Sequence, residues 1–428
     1  FAARSGALTV SAASTPAHAW PMPRTPPGTT GRIPGGSGPS NPPPDLDALV
    51  DATPASRDRV VDLLRAASIG IVVLWHWALA VTHWRADGAL TMANPVDDVP
   101  GLWTATWVLQ VMPMFFFVGG YANLAGWHAV TRGGGGAGSF VRGRMGRLLA
   151  PLIPWLGCWL VVDLAWQAAG GRSVLDWGLV VFVPLWFLGV YAGVVVAVPV
   201  TAGLHARWRW RVLAGLGAGI VAADAARLGL DVSGPTVGLV GSGLVWLFCH
   251  QLGYFWRDGT LVAGGRRRAN AVTIAGVTAL VALTTVGPYP RSMVAVRGED
   301  VSNMFPTTAC IAALAVFQLG LVLRLRPQLE AWLQRRGPWR AVVAANGVAM
   351  PVFCWHMTAL VVFVGIYERA GFTLADEPSA DWWLARPAWV IGPGMLLAGV
   401  VAALMRLGRS GGGPGRRAAR RSARSFAS

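Results

Sequence analysis

Two ionisable residues, Arg65 and His76, carry the strongest chemical signal in this chain of 428 residues. They lie eleven residues apart in a segment that is otherwise mostly apolar. In an α-helix this spacing places both side chains on one face, three turns and about 16 Å apart along the axis. Histidine can give and take a proton near neutral pH, and arginine binds oxyanions through a planar set of donors. On spacing alone, an Arg65 that merely reaches out from a helix end and a His76 that merely packs in the core remain alternatives.

The composition indicates that such a helix lies in a membrane. Hydrophobic residues make up 54% of the chain and charged residues only 13%. A soluble enzyme needs more polar surface than this, and a disordered chain is poorer in aliphatic and aromatic residues. The sequence contains no lysine, which excludes Schiff-base chemistry, lysine-anchored cofactors and the phosphate-binding loop that ends in lysine.

Long apolar stretches indicate an all-α, polytopic membrane protein with about ten transmembrane helices. A helix that crosses a bilayer needs about 20 mostly apolar residues. The predicted spans are approximately 61–82, 102–125, 148–168, 177–200, 212–228, 236–256, 270–288, 307–323, 341–366 and 388–405.

The arginines predict the orientation. With the N-terminus placed inside, the inner loops and the C-terminal tail carry 23 arginines and 2 acidic residues, whereas the outer loops carry 7 arginines and 11 acidic residues. This asymmetry is typical of a multi-pass protein of a cell membrane with both termini in the cytoplasm. A nucleic-acid partner is not expected, because such a protein gathers its arginines on one soluble face.

The two ends of the chain differ from the middle in composition. We expect a disordered Pro/Gly/Ser-rich tail over 1–55, a membrane domain over 56–408 with its first helix starting at Thr53-Pro54, and a disordered Arg-rich tail over 409–428. The last tail is either a solvated, orienting segment or a contact for anionic lipids. The four cysteines all lie in apolar stretches without a CxxC pair, so no metal site is expected.

Several short motifs occur in an order that resembles the bacterial membrane acyltransferase type 3 family. They begin with Leu63-Leu64-Arg65 followed by His76. Later matches are Met112 to Tyr121, Phe140 to Pro151, Leu185 to Leu188 with Tyr191 and Pro199, Asn346 to His356, and Trp383 to Pro387. The resemblance covers roughly 57–405 and implies ten spans. A hydrolase-like domain that some members carry after the last span is not expected here.

The resemblance implies an enzyme that moves an acyl group, acetyl or another short chain, from cytoplasmic acyl-CoA to a hydroxyl of a carbohydrate, glycolipid or secreted metabolite. It makes His76 the candidate general base, because a hydroxyl needs a base within hydrogen-bond reach. Arg65, Arg144 and Arg147 become candidates for the phosphates of CoA. Positive charge that only sets the topology is an equal alternative for Arg144 and Arg147.

Further positions are candidate binding residues with structural alternatives. Trp186 would wall the acyl tunnel and His250 would line the entrance for CoA, unless both are core residues. Asp163, His356 and Asn303 are candidates for substrate binding; a structural ion pair, a packed histidine and an ordinary outer connector are their alternatives.

Two other functions compete with acyl transfer. Ten spans with membrane-embedded polar residues would also suit a transporter or exporter of a polar or glycan substrate, although no repeat symmetry is visible between the two halves. The polybasic tail alone would suit a structural or lipid-anchoring protein.

Overall fold

The computed structural model describes residues 45–230, 235–296, 301–375 and 377–410. The tail segments 1–44 and 411–428 lie outside the described residues. Helices α1 to α14, one hairpin of strands β1 and β2, two short 3₁₀ helices and a short π-helix make up the regular structure in the described part, and the α-helices and strands are the elements used below. In chain order they are α1 Leu46–Asp51, α2 Arg59–Ala78, β1 Val81–Trp84, β2 Leu90–Ala93, α3 Trp103–Leu109, α4 Met112–Arg132, α5 Ala137–Leu149, α6 Leu152–Ala168, α7 Val174–Trp177, α8 Leu185–Trp208, α9 Trp210–Asp224, α10 Pro235–Arg257, α11 Gly265–Thr285, α12 Ala309–Leu333, α13 Arg336–Arg369 and α14 Ala380–Ser410.

The helices confirm a polytopic membrane protein. Nine helical segments among the described residues are long and apolar enough to cross a bilayer. The pair α5 and α6, bent by 44°, supplies a tenth when it is counted as one span. All ten predicted stretches coincide with these segments, so the apolar pattern located the spans correctly.

The first membrane helix starts later than the sequence suggested, so the prediction that Thr53-Pro54 starts it was wrong. Asp58 is the N-cap of α2 and its carboxylate accepts from the backbone N–H groups of Val60 and Val61 at 3.1 and 3.2 Å. The Thr53 hydroxyl instead donates to Leu49 O of the short helix α1 at 3.2 Å. A carboxylate that accepts two backbone donors is the stronger cap.

Two helix boundaries at the predicted outer side also differ from the boundaries expected from the sequence. The first span was expected to reach residue 82, but α2 ends at Ala78 and the chain turns into β1, whose Val81 pairs with Ala93 of β2. The last outer loop was expected to run to residue 387, but α14 begins at Ala380 and Arg386 lies within it. Short apolar runs beside a span have no periodicity that would separate strand from helix.

Glycines bring the central helices α4 and α10 into backbone contact. A Cβ on Gly120 would overlap the His250 carbonyl oxygen, and a Cβ on Gly253 would overlap the Phe117 carbonyl oxygen. Small residues at membrane helix interfaces permit such close approach. This contact holds α4, which carries the motif Met112 to Tyr121, in place beside α2.

Candidate functional site

Helices α2 and α13 run side by side in the same direction and are joined by two polar contacts. Nε of Arg65 donates to Oδ1 of Asn346 at 2.6 Å. His76 meets His356 three turns further along, with 3.0 Å between Nδ1 of His76 and Nε2 of His356. The backbone carbonyl of His356 also accepts from the Trp77 indole at 3.1 Å. The two helices therefore hold Arg65 and His76 at fixed positions on one face.

The hydrogen bonds define the protonation pattern of the histidine pair. Nδ1 of His356 lies 2.8 Å from the Phe353 carbonyl oxygen, which can only accept. Nδ1 of a neutral His356 therefore carries the proton and its Nε2 accepts from Nδ1 of His76. This leaves the lone pair of His76 Nε2 available as a proton acceptor. The ring planes are nearly parallel, with 5.2 Å between centroids and 8° between planes, as an edge-to-edge hydrogen bond between the two rings requires.

His76 lines a cavity of about 490 Å³, here called the histidine cavity. Its wall is mainly apolar and includes Trp186 and Phe187; the contact of Trp186 with an acyl chain stays a prediction. Asn94 and Gln110 add polar groups to the lining, and Asn94 accepts from the Trp75 indole at 2.8 Å. A mostly apolar pocket with few polar groups is typical of small-molecule sites.

Toward the other end of α2 lies a second cavity of about 360 Å³, here called the arginine cavity. Its lining has five guanidinium groups and two carboxylates: Arg57, Arg65, Arg144, Arg147, Arg257, Asp58 and Asp62. The structure thus brings three of the predicted arginines, Arg65, Arg144 and Arg147, to one place.

Both carboxylates of the arginine cavity are already engaged. Asp62 accepts from two nitrogens of Arg57 at 2.5 and 2.9 Å. Asp58 caps α2 and accepts from the Trp256 indole at 2.7 Å. Arg144 donates one Nη2 bond to Ala122 O, and its buried Nε has no partner among the described residues. The cavity therefore has an excess of positive charge and a donor suited to an oxyanion.

An apolar septum separates the two cavities. Along α2 the arginine cavity includes Arg65 and the histidine cavity begins at Val72, seven residues and about 10 Å further on. Ile69 of α2 and Phe116 and Phe117 of α4 lie, along their helices, between the residues that line the two cavities, and they are at most 6% exposed. We use the name septum for these three residues.

The remaining predicted site residues do not line either cavity. His250 is 1% exposed and accepts from the Asn123 amide at 3.1 Å between α4 and α10. Asp163 accepts from Val174 N at 2.7 Å and from the Ser173 hydroxyl at 3.1 Å, which ties α6 to α7. His356 is fully buried behind His76. For these residues the contacts are those of positioning or structural groups.

Asn303 makes hydrogen bonds that hold the loop between α11 and α12 in place. Its amide donates to Pro290 O and Ser292 O at 2.7 and 2.8 Å, and its Oδ1 accepts from the Thr308 hydroxyl at 2.7 Å. In the same loop, Tyr289 donates to Asp224 at 3.0 Å, and burial together with that carboxylate raises the pKa of the Tyr289 hydroxyl. The predicted substrate contacts of Asp163, His356 and Asn303 stay predictions.

Sequence reasoning missed how Asn346 and His356 serve the site, although both lie in a recognised motif. They are ten residues apart on α13, nearly the spacing of Arg65 and His76 on α2. Two helices with the same three-turn spacing of polar residues can pair in register. That repeated spacing is the signal that could have found the pair.

Arg65 and His76 are ionisable residues held between apolar helices of membrane-spanning length. This arrangement defines a multi-pass membrane protein with a polar site among its helices. The chain belongs to the acyltransferase type 3 family, because the family model, described as an acyltransferase domain, matches residues 58–405. It is therefore a membrane acyltransferase, as the motifs predicted. No curated protein and no solved structure matches the chain.

Proposed function

We propose that this acyltransferase moves a short acyl group from cytoplasmic acyl-CoA to a hydroxyl of a carbohydrate, glycolipid or secreted metabolite, with His76 as the general base. The observation that carries the proposal is the pairing of His76 with His356, which leaves Nε2 of His76 as a proton acceptor beside a cavity. The proposal includes the orientation predicted from the arginines, with both termini in the cytoplasm.

The arginine cavity is the proposed site for the phosphates of CoA. Arg65, Arg144, Arg147, Arg57 and Arg257 surround it, and the two carboxylates there are engaged by other groups. In the predicted orientation this cavity opens on the cytoplasmic side, where acyl-CoA is found. The septum closes the way to His76 in this structure, so the thioester arm must displace it to react.

The histidine cavity is the proposed site of acyl transfer. His76 Nε2 takes the proton of the acceptor hydroxyl, and the oxygen attacks the thioester carbonyl carbon. As the C–O bond forms, the C–S bond breaks, and the departing thiolate takes the proton back from His76. His356 holds the ring so that Nε2 and not Nδ1 receives that proton, by the same logic that fixes histidine tautomers in other catalytic groups.

Loss of the base tests the proposal. We expect His76→Ala to lower acyl transfer by roughly 10²- to 10⁴-fold, the usual contribution of a general base. The measurement is release of CoA thiol and transfer of labelled acetyl to an envelope-glycan fraction by protein reconstituted in vesicles. The matched control is His128→Ala, an exposed histidine on α4. Full transfer by a normally inserted His76→Ala protein would contradict the assignment.

A further inference from the structure

A third, smaller cavity lies beside the histidine cavity and plays no part in the reaction described above. It has a volume of about 210 Å³ and lies where β1, the end of α13 and the start of α14 meet; we call it the Arg386 cavity. Ala80 lines the histidine cavity and Thr82, two residues later, lines the Arg386 cavity. The start of the hairpin therefore borders both spaces, and the two cavities are close enough for one ligand to reach both.

Arg386 is a buried cation with little direct compensation. It is 8% exposed, and its guanidinium lies between the rings of Trp382 and Trp389, at 3.8 and 4.6 Å from their centroids. Its Nε donates to Trp382 O at 2.9 Å, whereas Nη1 reaches Ala80 O only at 3.5 Å. No carboxylate in the described part of the chain lies within ion-pair distance of it. Arginine stays charged in proteins, and a buried charge is costly unless it is paired.

Thr82 supplies a second donor that also lacks a partner. Thr82 is 3% exposed, and its hydroxyl has no hydrogen-bond partner among the described residues. Buried hydroxyls are nearly always satisfied, so a buried orphan in a cavity wall points to a ligand. The hydroxyl and the guanidinium therefore line one small space from two different elements.

The rim of the cavity limits the charge that the ligand can carry. Asp381 also lines the cavity, and it is exposed and at the start of α14. A carboxylate at the rim repels a ligand with several negative charges, while Arg386 inside attracts one. Together, Arg386, Thr82 and Asp381 are complementary to a ligand group that carries one negative charge and has oxygen atoms as hydrogen-bond acceptors.

We propose that the Arg386 cavity binds an oxyanion carried by the acceptor, a carboxylate or a phosphodiester-like phosphate, while the reacting hydroxyl lies in the histidine cavity. This inference rests on the proposed function, which defines the acceptor as the molecule whose hydroxyl receives the acyl group. The planar guanidinium gives two donors to the oxyanion and the Thr82 hydroxyl gives a third. The acceptor class is thus an anionic glycan or a phosphate-linked glycan.

Binding measured without acyl-CoA tests this site apart from catalysis. The purified protein is titrated in nanodiscs with glucuronate, with glycerophosphoglycerol, whose phosphodiester carries one negative charge, and with neutral glucose, and the shift in its melting temperature is recorded. We expect one of the two anions to stabilise the protein and glucose to have no effect. The anion that binds identifies the carboxylate or the phosphate as the source.

Variants separate a binding role from a packing role. We expect Arg386→Gln to weaken anion binding at least tenfold and Thr82→Val, which keeps the shape but removes the hydroxyl, to weaken it by about tenfold. Arg369→Gln, an exposed arginine at the end of α13, is the matched control and binds normally. The measurement uses no acyl-CoA and records no acyl transfer, so a failure of the proposed base does not affect this test.

The outcomes that overturn the inference are concrete. They are no stabilisation of the wild-type protein by either anion, equal binding by Thr82→Val and the wild type, or an equal loss in Arg369→Gln. If Arg386→Gln does not insert, the Thr82→Val comparison decides alone, because that change leaves the charge in place.

Discussion

At the residue scale, the histidine pair determines which nitrogen of His76 is free. The Phe353 carbonyl orients His356, and His356 orients His76, so the chain of hydrogen bonds ends at Nε2 of His76. His356 touches neither described cavity and is a positioning residue. Groups that orient a metal-binding histidine in this way commonly contribute 10- to 100-fold to activity, and we expect an effect of the same order for this pair.

Replacing His356 tests this positioning role. We expect His356→Phe, which keeps a ring but cannot accept from His76, to lower turnover by about 10- to 100-fold with little change in KM. His356→Gln should recover part of the activity, because its amide oxygen can accept from Nδ1 of His76. The measurement is the pH dependence of acyl transfer by both variants.

A purely structural role for His356 gives a different pattern. His356→Phe would then lower the melting temperature without changing the pH profile, and His356→Gln would not recover activity. In the His76→Ala protein, a second change at His356 should cause no further loss of transfer, since the group that it orients is gone.

The sequence predicted Arg65 and His76 because their spacing is local to one helix, and it located Arg144 and Arg147 through a short motif. The contact of His356 with His76 was missed, because 280 residues separate them in the chain and only the matching three-turn spacing on α2 and α13 pointed to it. The sequence could not predict that Asn303 and Asp163 would use their polar atoms on neighbouring loops, since loop geometry has no periodic signal.

At the element scale, the contact of α4 with α10 explains why two glycines lie in buried positions. Gly120 and Gly253 face each other so closely that a methyl group on either would meet backbone of the other helix. Backbone cannot move aside as a flexible side chain can, so the cost of a larger residue is not relieved locally.

We expect Gly253→Ala to destabilise the folded protein by about 1–3 kcal/mol, the usual cost of overpacking. The measurement is the unfolding midpoint in detergent. Gly243→Ala on the same helix is the matched control, because nothing lies within 4 Å of its added Cβ. That control should be neutral or slightly stabilising, since alanine favours helix. Equal midpoints for the two variants would contradict the proposed close contact.

Apolar length located the membrane helices well but missed their ends. The hydrophobic signal is strong over about 20 residues, whereas a cap or a hairpin depends on one or two side chains. Two predictions failed in this way. The first helix was expected to start at Thr53-Pro54 and not at Asp58, and the first span was expected to continue over the residues that form the hairpin.

At the scale of the whole molecule, the arginine cavity and the Arg-rich loops lie toward the same ends of the helices. Orientation in the membrane stays a prediction from the charge asymmetry. It is also the step that assigns the arginine cavity to the donor and the histidine cavity to the acceptor, so it merits a direct test.

Cysteine labelling in intact cells makes that test. We expect a membrane-impermeant maleimide to label Ala86→Cys, in the exposed turn between β1 and β2, without permeabilisation. Gln334→Cys, between α12 and α13, should be labelled only after the cells are permeabilised. The unsubstituted protein is the background control for the native cysteines. The reverse labelling pattern would invert the proposed roles of the two cavities.

The septum of Ile69, Phe116 and Phe117 has an electrical consequence. Where water fills both cavities, the membrane voltage falls across the remaining apolar interval of about 10 Å and not across a hydrocarbon core of about 30 Å. The field in that layer is then about three times stronger than in the surrounding lipid. The thioester arm that crosses this layer in the proposed reaction carries no charge, so we expect acyl delivery not to depend on the membrane potential, whereas a charged group crossing there would experience most of that potential within one short step.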